Sequence, residues 1–152
     1  MSSVTHLGRP AGSAIYGLRI LNHHVGQELT AALQPHDLTL PEMGILADLR
    51  RIPGLSSAAL ARARALSPQT MSEIITGLEK DGLLERRSAG GRILRVYLTP
   101  AGIARLTAAI SAAAEIERRM LAGLPKRDQE RFRDLIFTCV AQITTRRAEH
   151  TG

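Results

Sequence analysis

Residues 66–82, LSPQTMSEIITGLEKDG, decide the fold predicted for this chain. The stretch opens with helix start signals, because the Ser67 hydroxyl can accept a hydrogen bond from a free backbone N–H and Pro68 needs none. Gly82 can supply the left-handed residue that ends the helix. Apolar side chains between these ends recur at i, i+3, i+4 and i+7, which places them on one buried stripe, and they are Met71, Ile74, Ile75 and Leu78.

The other face of this predicted helix carries mostly short polar side chains: Gln69, Thr70, Ser72, Glu73 and Thr76. Hydrogen-bonding groups that point outward from the first two turns of a helix suit the reading of base edges in the major groove of DNA. The alternative is the solvated face of an ordinary surface helix. The neighbouring sequence must decide between the two.

A shorter helix is predicted just before this stretch. Ser56 can cap it, and Leu60 and Ala61 lie within it. A tight turn near Ala65 then leads into the second helix, and this arrangement predicts a helix-turn-helix. Glycine is common in such turns, so Ala65 departs from the usual pattern.

Two strands are predicted after Gly82, at positions 83–87 and 93–98. The residues between them, Ser-Ala-Gly-Gly-Arg at positions 88–92, include glycines that permit the positive φ of a hairpin loop. The hairpin is either a basic wing that binds DNA or an ordinary surface hairpin. Its position directly after a helix-turn-helix favours the wing.

Positive charge is concentrated in this part of the chain. The whole chain carries +6, and positions 50–98 hold nine basic and four acidic side chains, a net charge of +5. Such a concentration indicates a polyanionic partner.

Longer amphipathic helices are predicted on both sides of this region. One begins at Ser13, a second opens with a capping box at Thr39 and Glu42, and a third follows Thr99 and is broken at positions 123–125 before a last helix. Their apolar faces exceed what one small module can cover, which predicts packing against a second copy of the chain.

The expected fold is mainly α with a small β-wing, a winged helix-turn-helix with long N- and C-terminal dimerisation helices. Residues 1–12 are expected to form a loose arm and residues 13–152 a single domain. Within that domain, residues 13–34 and 99–148 would be dimerisation helices, and residues 39–98 a DNA-binding lobe with its wing at 83–98. A hydrophobic content of 44% and a charged content of 22% argue against a disordered chain.

Residues 13–147 resemble the MarR (multiple antibiotic resistance regulator) family of winged-helix repressors. The segments that carry the resemblance are LTLPE at 38–42, LSPQTMS at 66–72, LEKDGLLER at 78–86 and LTPAG at 98–102. The resemblance implies a homodimer whose recognition helices enter successive major grooves of a roughly palindromic double-stranded DNA site. It also implies a wing arginine that reaches the minor groove, at the position of Arg92.

The chain departs from the family pattern in the wing and in the recognition helix. Gly90 stands where the family usually has an acidic residue that helps to hold the wing, and the loop is short. A short wing with a less deeply inserted Arg92 is therefore expected. Glu73 stands where an arginine or a small residue is commoner, and its carboxylate would either accept a hydrogen bond from cytosine N4 or form a salt bridge within the protein.

The candidate DNA contacts come from the helix-turn-helix and the wing. The candidates for base contacts are Ser67, Gln69, Thr70, Ser72 and Arg92, and the candidates for phosphate contacts are Arg62, Arg64, Arg86 and Arg95. Ser67 has the alternative role of a helix cap alone. Some of the arginines are expected to carry only solvated charge.

The resemblance also implies a small aromatic or phenolic effector, for which His23, His24 and Arg50 are candidate contacts. No metal site or cofactor is expected, because adjacent His23 and His24 face different directions and His24 with Glu28 makes only two ligands. Cys139 is the single cysteine, so an intramolecular disulfide is excluded. It is expected to be a buried structural residue.

The function predicted is that of a homodimeric DNA-binding transcriptional regulator, a ligand-responsive repressor of a palindromic operator. The alternative is a winged-helix protein-interaction module without sequence-specific DNA binding. No enzyme is expected, because the sequence offers no convincing nucleophile–base pair and no phosphate-cradling glycine loop. The absence of a signal-peptide pattern and of a membrane-length apolar run predicts a cytoplasmic protein with no membrane partner.

Overall fold

The computed structural model describes residues 13–90 and 94–149 of the chain. The helices are α1 Ala14–Leu33, α2 Leu40–Arg51, α3 Ser57–Arg64, α4 Pro68–Lys80, α5 Pro100–Leu121 and α6 Lys126–Glu149, and the strands are β1 Leu84–Ser88 and β2 Leu94–Leu98. A short 3-10 turn, Gln34–His36, follows α1. A mainly helical chain with a small β-ribbon is confirmed. The predicted arm at 1–12 and the wing residue Arg92 lie outside the described residues.

The helix starts predicted from hydroxyl residues are all confirmed. Thr39 and Glu42 form a reciprocal capping box, in which the Glu42 N–H donates to Thr39 Oγ1 at 3.4 Å and the Thr39 N–H to Glu42 Oε2 at 2.7 Å. Ser56 and Ser67 each accept from the N–H three residues later, at 3.2 and 3.0 Å. A cap of this kind stabilises a helix by about 1 kcal/mol.

The turn between α3 and α4 is built on Ala65. Its φ of 52° lies in the left-handed region, which is unfavourable for residues with a Cβ. The Ala65 N–H donates to the Arg62 carbonyl at 3.3 Å and the Leu66 N–H to the Ala61 carbonyl at 3.0 Å, which closes the end of α3. The helix-turn-helix is therefore present with alanine in a position that glycine usually occupies.

The chain divides into two compact units between Ala114 and Glu115, within α5. The predicted stripe of α4 packs into the core of the first unit, where Met71, Ile75 and Leu78 are buried and Ile74 is partly buried. Full burial of one such side chain contributes about 1.5–3 kcal/mol. This burial fixes which face of α4 remains outside. The other buried members of this core are Leu33, Leu38, Ile45, Leu46, Leu49, Leu60, Ala61, Leu83, Leu84, Val96, Leu106 and Ala109.

The two strands pair antiparallel, with Leu84 opposite Leu98 and Ser88 opposite Leu94. The loop between α2 and α3 joins this ribbon: the Gly54 N–H donates to the Val96 carbonyl at 3.1 Å, and the Val96 N–H donates to the carbonyl of residue 55 at 3.0 Å. These bonds fix the base of the wing to the loop that precedes the helix-turn-helix.

Thr99 connects the start of α5 to the turn that follows α4. Its hydroxyl accepts from the Gly102 N–H at 3.0 Å and donates to the Gly82 carbonyl at 2.6 Å. Its own N–H donates to the Leu83 carbonyl at 3.1 Å. Gly82 has a φ of 73°, so the left-handed residue predicted after α4 is confirmed.

The second unit contains the end of α5 and α6. An ion pair joins the two helices, with Arg133 Nε 2.6 Å from Glu117 Oε1. Large apolar side chains are exposed along α6, namely Leu135, Phe137, Val140 and Ile143. Cys139 is exposed as well, so the prediction of a buried cysteine is wrong for the single chain. Apolar spacing identifies a face, but it does not show whether the same chain covers that face.

Within the described ranges, no helix is both long enough and apolar enough to cross a bilayer. The same residues contain no cluster of three or more histidine, cysteine or acidic side chains that could hold a metal ion.

Candidate nucleic-acid interface

The outer face of α4 is polar and exposed over its first two turns. Gln69, Thr70 and Ser72 are exposed, as the buried stripe on the other side of the helix requires. Ser67 is confirmed as the helix cap, and its Oγ also lies 2.8 Å from Thr70 Oγ1. Contacts from these four side chains to bases remain predictions.

Glu73 has a partner within the helix. The Gln69 carboxamide donates from Nε2 to Glu73 Oε1 at 3.2 Å. Of the two roles considered for this carboxylate, the structure therefore favours an intramolecular one, although the partner is an amide and not a cation. The bond holds the Gln69 side chain while leaving its carbonyl oxygen and one amide hydrogen available.

Arg86 joins the first wing strand to α4. Its Nη1 lies 3.1 Å from Glu79 Oε2, and its Nη2 donates to Thr76 Oγ1 at 2.9 Å. Only 27% of the Arg86 side chain is exposed. The arginine predicted as a phosphate contact therefore already holds the wing strand against α4.

Arg95 is likewise engaged by the protein. Its Nη1 donates to the Gly54 carbonyl at 3.1 Å, in the loop that pairs with β2. Beside it on the ribbon, the Arg87 guanidinium lies 4.6 Å from the centre of the Tyr97 ring and pairs with Glu85. These contacts orient basic side chains along the wing.

The two phosphate candidates on α3 differ in their surroundings. Arg64 donates from Nε to Asp48 Oδ2 at 2.7 Å and from Nη2 to the Gly44 carbonyl, both on α2. Arg62 is exposed, and no hydrogen bond or ion pair joins its side chain to the described part of the chain. Arg62 is thus the cation of α3 with its charge available to a ligand.

Sequence reasoning missed the partners of these arginines: Gly44, Asp48 and Glu79 were not predicted as part of the site, and Thr76 was placed on the outer face of the helix without a role as a partner of an arginine. Asp48 and Arg64 are sixteen residues apart, so no helical spacing connects them. One signal was present. A glycine inside a helix costs about 1 kcal/mol relative to alanine, so Gly44 within α2 indicates a packing requirement.

A groove-like cavity of about 900 Å³, widely open to solvent, lies between α1 and the start of α2. The residues that line it include His23, Gln27 and Thr30, which are polar, and Leu38 and Leu40, which are apolar. His23 is thus in a position to contact a small molecule.

The other two predicted effector contacts differ from His23. The described lining of this cavity does not include His24 or Arg50. His24 lies next to His23 in an edge-to-face arrangement, with the ring centres 5.4 Å apart.

These features together define a class of protein. A capped helix with an exposed polar face, preceded by a tight turn and followed by an antiparallel ribbon, is the DNA-binding arrangement of a winged-helix transcriptional regulator. The sequence profile of the MarR family matches residues 36–92. The transcriptional repressor Rv2887 of Mycobacterium tuberculosis is 38% identical over 111 residues, which are 72% of this chain and 80% of the relative. The chain belongs to the MarR family.

Solved structures agree with this assignment. The crystal structure of the M. tuberculosis MarR family protein Rv2887 in complex with DNA has a TM-score of 0.75 and 33% identity, over 84% of this chain and 98% of that chain. The structure of the same protein with salicylic acid has a TM-score of 0.71 and 33% identity, over 86% and 98%. The chain is therefore a DNA-binding transcriptional regulator, in a family whose members are not enzymes.

Proposed function

We propose that this regulator is a homodimeric repressor that binds a roughly palindromic operator and releases it when a small phenolic effector binds. The observation that carries the proposal is the exposed polar face of α4, held in place by a cap and a buried stripe within the most basic part of the chain. The crystal structure of the relative Rv2887 in complex with DNA supports DNA as the partner.

Within this proposal, Gln69 reads adenine. A glutamine pairs with adenine through two hydrogen bonds, accepting from N6 and donating to N7. The bond from Gln69 Nε2 to Glu73 leaves one amide hydrogen and the carbonyl oxygen for such a pair. Glu73 then orients the reading side chain from within the helix.

Dimerisation supplies the second recognition helix. The apolar side chains exposed on α6, with Ile15 and Leu18 exposed on α1, would be covered by a second copy, in agreement with the predicted dimerisation helices at 13–34 and 99–148. A two-fold dimer places two copies of α4 on half-sites one helical turn of DNA apart. The operator is then a roughly palindromic sequence.

A DNase footprint of the DNA around the protein's own gene tests the DNA-binding part. We expect a protected palindrome. In a titration with that site, Gln69→Ala should weaken binding about ten- to one-hundredfold, because a bidentate base contact is worth about 1–3 kcal/mol. Gln142→Ala on α6 is the matched control and should bind like the wild type. Binding to a scrambled duplex should be unchanged in both variants.

The alternative function predicts a different result in the same footprinting experiment. A winged-helix protein-interaction module would give only diffuse, salt-sensitive binding without a protected site. A palindrome that Gln69→Ala binds as tightly as the wild type would leave the repressor in place but remove Gln69 from base reading.

The effector part of the proposal assigns the phenolic ligand to the cavity between α1 and α2. Apolar residues line much of the cavity and suit a ring, and the polar residues His23 and Gln27 are among those that line it. The salicylic acid complex of Rv2887 supports a ligand of this class. Release from DNA requires that the ligand bind the DNA-free conformation more tightly than the DNA-bound one.

Adjacent histidines provide a matched pair of variants for this assignment. We expect salicylate to bind the wild type in isothermal titration calorimetry and to weaken its operator affinity. His23→Ala, which removes a group from the cavity wall, should weaken salicylate binding several-fold, whereas His24→Ala should not. Equal effects of the two substitutions, or none, would place the effector elsewhere.

A further inference from the structure

We infer that Arg64 is a positioning residue, which holds α3 against α2 through a clamp formed with Asp48 and the Gly44 carbonyl, and that it does not contact DNA phosphate. This inference rests on the proposed DNA-binding function and deepens it. It separates Arg64 from Arg62, its neighbour on α3, which sequence reasoning placed in the same role.

The clamp joins two helices through two different acceptors. Arg64 Nε lies 2.7 Å from Asp48 Oδ2, and Arg64 Nη2 donates to the Gly44 carbonyl. Gly44 precedes Asp48 by four residues, which is about one turn of α2. Only 16% of the Asp48 side chain is exposed, so its carboxylate is largely screened from water. Hydrogen bonds between charged groups in such surroundings are stronger than those between neutral groups.

Gly44 leaves the space on α2 that the end of the Arg64 side chain occupies. A Cβ at this position would lie 2.5 Å from Arg64 Nη1 and 2.7 Å from Arg64 Cζ. A side chain at position 44 would therefore displace the guanidinium from the clamp, so the clamp gives a reason for a glycine in α2 despite its low helix propensity.

The clamp acts on the helix-turn-helix itself. Arg64 is the last residue of α3, and the strained turn at Ala65 leads directly from it to Ser67, the cap of α4. Fixing the end of α3 to α2 therefore fixes the point from which α4 starts. Because the Asp48 carboxylate already compensates the charge of the Arg64 guanidinium, Arg64 attracts a phosphate less strongly than an unpaired arginine does.

Two substitutions separate a clamp from a phosphate contact. Arg64→Ala removes the charge, whereas Gly44→Ala displaces the guanidinium and leaves the net charge unchanged. A clamp predicts that both weaken operator binding by a similar factor, about three- to tenfold, while binding to scrambled DNA and the slope of log K against log salt stay unchanged. The double variant should bind no worse than either single variant, because both remove the same contact.

Arg62→Ala is the matched control on the same helix. A lost phosphate contact lowers the salt slope by about one and weakens binding to all sequences alike. The inference is overturned if Arg64→Ala behaves in this way while Gly44→Ala binds like the wild type. It is also overturned if both variants keep wild-type operator affinity well below their unfolding temperatures, since the contact would then be merely structural.

The clamp can also be tested without DNA, so that its failure is distinguishable from failure of the proposed function. If the wild-type chain protects no operator, urea unfolding of the four proteins of this cycle still tests the clamp. Arg64→Ala should then raise the unfolding constant about three- to tenfold. Gly44→Ala should stabilise the Arg64→Ala background, where only its better helix propensity acts, and should not stabilise the wild type, where it also breaks the clamp. Additive effects would overturn the clamp independently of DNA.

Discussion

Gly102 makes the closest backbone approach at the start of α5. A Cβ at this position would lie 2.1 Å from the Leu83 carbonyl oxygen, which already accepts the Thr99 N–H. The obstructing atom belongs to the backbone, so either α5 or the turn after α4 would have to move. The segment LTPAG, which carries part of the family resemblance, thus has a steric reason for its last residue.

Gly102→Ala should therefore destabilise the protein even though alanine is the better helix former. We expect the free energy of unfolding to fall by about 1–3 kcal/mol, as for other overpacked sites, measured by urea unfolding followed by circular dichroism. Gly77→Ala on α4 is the control, because a Cβ there meets no atom within 4 Å. That substitution should raise stability by up to about 1 kcal/mol. The same sign at both glycines would contradict this account.

Single residues also show where sequence reasoning reaches its limit. The cap roles of Thr39, Ser56 and Ser67 were predictable because a cap acts on a backbone group two or three residues away. The roles of Gly44 and Gly102 were not, because each depends on an atom that a different element brings close. Arg92 lies outside the described residues, so its contact with the minor groove remains a prediction.

At the scale of elements, the helix-turn-helix was predictable almost entirely from local sequence patterns. The apolar spacing of α4 identified its buried side, and the start signals at Ser67 and Pro68 agree with its observed start at Pro68. The first strand was predicted from position 83 and begins at Leu84, and the second begins at Leu94. Such elements are predictable because their periodicity and end signals lie within the element itself.

The joints between elements were not predictable in this way. Arg64, Arg86 and Arg95 have nearly the same sequence context, that of basic side chains in a basic region. In the structure, each makes a hydrogen bond to a different neighbouring element, namely α2, α4 and the α2–α3 loop. The basic side chains at positions 50–98 therefore serve two purposes. Some of them hold the DNA-binding elements together, and others remain available to bind a polyanion.

At the scale of the whole molecule, the exposed apolar side chains indicate what the single chain lacks. Ile136, Val140 and Ile143 recur at i, i+4 and i+7 on α6, and Val140 and Ile143 are 50% and 67% exposed. Such a row is typical of a helix that packs against a partner. The same row explains why Cys139 beside it is exposed in one copy.

The proposed dimer can be tested on this row by one substitution. We expect Val140→Lys to raise the dimer dissociation constant at least tenfold, because a lysine ammonium buried in an apolar interface without a partner is strongly unfavourable. Sedimentation equilibrium at micromolar concentrations gives the association state. The operator footprint of the variant should weaken in parallel, since a monomer carries one recognition helix.

Thr138→Lys adds the same charge to α6 at a position off the row. Thr138 is exposed, and its hydroxyl donates to the Asp134 carbonyl within the helix. This control should remain dimeric and bind the operator like the wild type, because a lysine there faces water and has Asp134 one turn away. If Val140→Lys also remained dimeric, α6 would not form the dimer interface. A monomeric wild type that still protected a full palindrome would instead show that the two half-sites are occupied independently, without the preformed spacing that a two-fold dimer provides.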